Sequence, residues 1–160
     1  MSTLEAQLPV VAEPPRQAQS QAALHDPESA AMWQQQLDIE TGPAGTIAVL
    51  HLAGDIDMLT IPLLCAALIT ALDIRPADLV VDLSEIHFCG VRGFVLLAAM
   101  ARTTATCGIG YAVAGMGPHL DRAATQAWSG QRLRRHPDSA AAITATRHRQ
   151  ARTRAARYPL

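Results

Sequence analysis

The chain has 160 residues and a formal net charge of −1. That length suffices for one domain with a real core plus flanking segments. All 13 basic side chains are Arg, and 49% of residues are apolar while only 4% are aromatic. A core of Leu, Ile, Val and Ala is therefore expected. Three cysteines, Cys65, Cys89 and Cys107, show no CxxC spacing, and their odd number points to free thiols in a reducing compartment. No basic region followed by an apolar one opens the sequence, and the longest apolar run, Phe94 to Ala101, is far short of the ~20 residues that span a bilayer. A soluble, cytoplasmic protein with no membrane partner is the expectation.

In chain order, residues 1–32 mix Pro, Gln, Ala, Ser and Glu without periodicity, and Pro9, Pro14 and Pro15 oppose a helix. A flexible arm is expected there, with order beginning near Trp33. Gln36 to Glu40 alternates as a half-buried strand does, Gly42 to Gly45 has turn composition, and Thr46 to Leu52 reads as the second strand of a hairpin. Gly54 to Asp57 ends it. Thr60 is placed to N-cap a helix with Pro62 in its first turn, running to about Asp73 before Arg75-Pro76. Almost every residue from Ile61 to Leu72 is apolar. Deep burial with Ala66, Ala67 and Ala71 outward is the favoured expectation, and an outer face around Leu63 meeting a partner is the sharper one.

Asp78 to Leu83 reads as the next strand, Gly93 to about Thr104 as the next helix, and Gly108 to Ala114 as a further strand. Gly117-Pro118 opens a third helix with Leu120, Ala123, Ala124 and Ala127 on one face. Residues 131–135 read as an edge strand, and Asp138 or Ser139 as the cap of a last, Arg-rich helix. The order predicts an α/β fold: a mixed sheet of four to five strands packed with about four helices. The expected divisions are an arm at 1–32, a domain at 33–137 and an Arg-rich C-terminal helix or tail at 138–160.

The segment from Ile86 to Leu97 is the most informative. A strand, a Gly-bracketed turn and a helix N-terminus make a place where unpaired N–H groups favour an anion. The turn carries no Ser or Thr; Val91 and Arg92 stand there instead. With Leu52 to Asp57, Val80 to Ser84 and Phe88 to Gly93 in this order, the chain resembles the STAS domain family over roughly residues 36–137. In anti-sigma factor antagonists of that family the turn reads Phe-hydrophobic-Asp-Ser-Ser/Thr-Gly, and a serine in it is phosphorylated by the partner anti-sigma kinase. Aligned on Phe88 and Gly93, Gly90 stands at the Asp position and Val91 and Arg92 at the two serine positions.

The resemblance implies a non-enzymatic interaction module without cofactor, resembling the antagonists of actinobacterial type. It would regulate transcription by binding a kinase-type anti-sigma factor, so releasing a sigma factor, and would lack the phosphorylation switch. The expected partner-binding residues are Asp55, Asp57, Cys89, Gly90, Val91, Arg92, Gly93 and Phe94. A second copy of the chain is a further candidate partner. The alternative is a sensor module holding a nucleotide or other anion at the helix N-terminus near Gly93.

Other features carry less. Cys89 and His87 lack a third group to orient a nucleophile, and His51, His87 and Cys89 lack metal-ligand spacing, so neither catalytic nor metal-binding residues are expected. From Ser129 onward eight Arg face Asp138 alone, whereas five Arg face thirteen acids before it. Without a readout motif this basic segment is expected to bind no specific nucleic acid.

Overall fold

A computed structural model describes residues 37–130 and 133–157. The arm expected at 1–32, the start of order at Trp33, and Gln131 and Arg132 of the expected edge strand lie outside the described residues. Five strands lie side by side in chain order: β1 (Leu37–Ala44), β2 (Ile47–Ile56), β3 (Asp78–Cys89), β4 (Gly110–Ala114) and β5 (Arg135–His136). β1 is antiparallel to β2, and all other neighbours are parallel. The helices are α1 (Ile61–Asp73), α2 (Val91–Thr106), α3 (Pro118–Ala127) and α4 (Ser139–Arg157).

Parallel neighbours need crossovers, and the helices between them supply these. Leu50, Leu52, Leu79, Val81, Leu83 and Val113 point to one face, where they pack with Leu64 and Leu68 of α1, Phe94 and Leu97 of α2, and Leu120 and Ala124 of α3. Residues one step out of phase, Ile47, Val49, Val80 and Ala114, point to the opposite face and meet Ala142 of α4. β2 to β4 are thus buried on both faces, as their continuous apolar runs require.

Several boundaries differ from the sequence expectation. The hairpin strands are longer: Gly42 and Pro43 lie inside β1, and only Gly45, at φ +73°, and Thr46 make the turn. β1 is an edge strand, where a proline without an N–H is tolerated. β2 continues through Gly54 to Ile56, with irregular register against β3 on both sides of Ala53-Gly54 and Gly54 at φ +111°. β3 runs six residues past Leu83 to Cys89, and β4 starts at Gly110 rather than Gly108.

The largest consequence is at α2, which starts at Val91 instead of Gly93. Val91 and Arg92 belong to the first helical turn. The expected N-cap Thr60 does occupy that position, but its side chain makes no cap bond. It is buried, donating to Asp55 O at 2.9 Å and accepting from Asp57 N–H at 2.9 Å. Asp57 Oδ1 instead accepts from the Leu59 and Thr60 N–H groups. In α1, Leu64, Leu68 and Ala71 are buried, so Ala71 points inward rather than outward, while Leu63 and Ile69 are exposed.

Candidate functional site

Because β2, β3 and β4 are parallel, the loops after them gather at one edge of the sheet, the usual place for sites in α/β folds. Asp55 is in register with Phe88, and Ile56 with Cys89. The Gly90 N–H donates to Ile56 O at 2.8 Å, joining the two turns. Gly90 then N-caps α2 in an extended conformation, and its carbonyl accepts from Gly93 N–H at 2.9 Å. From α3, the His119 ring Nε2 donates to His87 O at 3.2 Å.

The expected residues divide by exposure. Val91 (74% exposed) and Arg92 are open, and Asp55, Asp57 and Gly90 are partly open. Cys89, Gly93 and Phe94 are buried. In this structure their side chains or Cα face the core and shape the turn from beneath. A Cβ on Gly93 would come within 2.6 Å of Ile56 Cγ2 and 2.7 Å of Cys89 Sγ, so only glycine lets α2 approach β2 this closely. Phe94 packs edge-on to Trp128, with ring centroids 5.7 Å apart, and its carbonyl accepts from Trp128 Nε1–H at 2.7 Å.

Sequence reasoning missed the apolar side chains around this edge. Met58 and Leu59 in the β2–α1 loop, Phe88 at the end of β3 and Val95 one turn beyond Val91 are all more than half exposed. The signal was present in Phe88, which breaks the alternation of β3 with a large ring on the solvent side. Together with Val91 they give the edge apolar side chains that a single-residue explanation does not cover.

Chemically the edge is quiet. Burial, only partly offset by the Phe94 backbone N–H, pushes the Cys89 thiol up to about 12, the reverse of an activated nucleophile. His87 is exposed and makes no side-chain hydrogen bond to Cys89. Among the described residues no group of three His, Cys, Asp or Glu side chains is arranged to hold a metal ion, and no helix is long and apolar enough to cross a membrane. The first turn of α2 carries no acidic residue; Arg92 puts a cation at the positive end of the helix dipole.

A second polar cluster lies on the α4 face of the sheet. Asp78 and Asp82, four residues apart on β3, point the same way as Val80. Asp78 is buried and accepts from Arg149 and, at 2.6 Å, from Gln150 Nε2 of α4. Asp82 accepts from His51 Nδ1 at 3.1 Å and from Ser84 N–H at 3.0 Å. Burial works against ionisation of Asp82, but hydrogen bonds from Ser84, Ser139 and His51 outweigh it and hold its carboxyl below the usual range. Asp78 therefore fastens α4 to the sheet, while Asp82 ties β3 to His51 of β2.

The fold matches known proteins. A crystal structure of an anti-sigma factor antagonist from Mycobacterium paratuberculosis is 28% identical, with a TM-score of 0.65, covering 69% of this chain and 94% of its own. The anti-sigma factor antagonist SpoIIAA in its unphosphorylated form, a Bacillus protein, is 15% identical at a TM-score of 0.59, covering 69% and 97%. RsbS of Moorella thermoacetica is 13% identical at a TM-score of 0.61, covering 71% and 97%. Comparison with curated protein sequences gives no match. The family model described as Mlab, STAS domain matches residues 41–128, more than half of the chain. The chain belongs to the STAS domain family.

Proposed function

We propose that this chain is a non-enzymatic anti-sigma factor antagonist that binds an anti-sigma factor without a phosphorylation switch. One observation carries this: Val91 is the most exposed large apolar residue of the described chain and begins α2, at the position of a family serine. An alkyl group cannot accept a phosphoryl group. In family members with the serine, phosphorylation would add about −1.5 to −2 charge at this point and oppose docking. Here the position stays apolar and available.

The docking surface combines Val91, Arg92 and Gly90 with Asp55 and Asp57, and with exposed Met58, Leu59, Phe88 and Val95. Apolar anchors surrounded by charges are what an energetically useful protein interface needs. Cys89, Gly93 and Phe94 hold the backbone of that surface from beneath. The antagonist from Mycobacterium paratuberculosis, at 28% identity, supports a regulatory protein as partner.

The test is calorimetric binding to a purified ATP-binding anti-sigma factor from the same organism. Val91→Asp is the discriminating variant, because an acid in the first turn of a helix does not destabilise it. Its affinity should fall roughly tenfold or more, equivalent to about 1.4 kcal/mol, with an unchanged melting temperature. Equal affinity of variant and parent would remove this surface from the interface.

A further inference from the structure

Helix α4 has five Arg, one His and no acidic residue. Its inner side is fully explained. Ala142 and Thr146 are buried against the sheet, and Arg149 and Gln150 are engaged by Asp78. The outer side is organised as well. At 3.6 residues per turn, Ala140, Thr144, Ala151 and Ala155 form an outward ridge of small, exposed side chains. Arg147 and Arg154, two turns apart, flank it on one side, and His148 and Arg152, one turn apart, flank it on the other. All four are exposed, and the salt bridges among the described residues involve none of them.

We propose that α4 is a sequence-blind docking surface for double-stranded DNA. A small-residue ridge with basic rows on both flanks matches a major groove, about 12 Å wide, bordered by two phosphate strands. Arg147 and Arg154 reach one strand, and Arg152 with His148 the other. The ridge carries no side chain for bidentate base readout, since Ala offers no polar group and Thr144 only a single hydroxyl.

Other occupants fit less well. A lipid surface favours an amphipathic helix with Trp, Phe or Leu to insert, and the outer side of α4 has only Ala and Thr between its charges. A protein partner would be held by Arg alone, without the buried aromatic or apolar anchors that usually accompany Arg in an interface. Double-stranded RNA has a major groove too deep and narrow for a helix. A phosphate polymer with an open groove asks only for what α4 supplies.

The experiment is fluorescence anisotropy of the full chain with two labelled DNA duplexes of unrelated sequence, across about 50–200 mM salt. Binding with a Kd of about 10–100 μM at the lowest salt is expected, equal within twofold for both duplexes. The log–log salt slope should be near −3, from three Arg–phosphate contacts at about −0.9 each. The double variant Arg147→Gln, Arg154→Gln should flatten that slope by about two, with an unchanged circular dichroism spectrum. Arg152→Gln alone should flatten it by about one. No binding at the lowest salt, or an unchanged slope in the folded variants, would overturn the proposal. So would tighter binding to duplex RNA or to phosphatidylserine vesicles than to DNA. Salt-sensitive dimerisation in place of DNA binding would assign the surface to a second copy of the chain instead.

Discussion

The indole Nε1–H of Trp128 donates to the carbonyl oxygen of Phe94 at 2.7 Å, joining the end of α3 to the first turn of α2. Trp128 is buried, its ring meets Phe94 edge-on, and Arg135 lies 5.7 Å from its centroid. Arg135 is itself held by Asp121 and Thr125 of α3. The helix that bears Val91 and Arg92 is therefore braced from behind by a residue more than thirty positions away.

Trp128→Phe keeps an aromatic ring but deletes the donor and part of the volume. A loss of about 1–3 kcal/mol in urea denaturation is expected, from the lost hydrogen bond to the Phe94 carbonyl and incomplete repacking. No measurable loss would show that the brace contributes nothing.

Gly93→Ala tests how closely α2 and β2 must approach. The added methyl would meet Ile56 and the Cys89 sulfur below 3.0 Å, so the start of α2 must shift. Destabilisation of about 1–3 kcal/mol is expected despite the higher helix propensity of Ala. A variant as stable as the parent, measured by chemical denaturation, would contradict the close packing.

Much of the architecture was legible because local pattern and global fold agree. Alternation at Leu37 to Glu40, the apolar run of β3 and the Pro-headed helices α1 and α3 each carry their own signal. The end of β3 was not legible. Phe88 sits on the solvent side of a strand, and Gly90 reads as a turn residue although a single residue suffices to join β3 to α2. The start of α2 was missed for the same reason: Gly93 punctuates the sequence, but here it is a close-approach residue inside a helix. Of the candidate site, the motif located the turn, while exposure separated Val91 and Arg92 from buried Cys89, Gly93 and Phe94. The pairs Asp78–Arg149 and His51–Asp82 span more than thirty residues, and no local periodicity encodes them.

Asp82 sets an acid limit on stability. Its folded-state pKa lies below the unfolded value of about 3.9, so its contribution is present above that value and is lost as pH falls through the folded pKa. Melting temperature should drop on acidification below about pH 4, and Asp82→Asn should flatten this limb. The variant should also be less stable at neutral pH, where Ser84, Ser139 and His51 lose a charged acceptor. An identical acid profile in the variant would remove Asp82 from the cause.

Thiol reactivity separates a core cysteine from a nucleophile. Cys107 is exposed, and Cys89 is buried with its thiol pushed up to about 12. At pH 8 iodoacetamide should label Cys107 rapidly and Cys89 only on unfolding, as mapped by peptide mass spectrometry. Selective labelling of Cys89 in the native protein at neutral pH would mark it as an activated nucleophile and contradict the core assignment.

Docking at Val91 and Arg92 is proposed to proceed without a phosphorylation switch. Its most direct measurement is calorimetric affinity for a purified ATP-binding anti-sigma factor, before and after incubation of the two with Mg-ATP, with phosphopeptide mass spectrometry of residues 86–97. The expected result is binding of unchanged affinity after incubation and an unmodified segment. Absence of binding, or a phosphate within residues 86–97 accompanied by release of the partner, would contradict it.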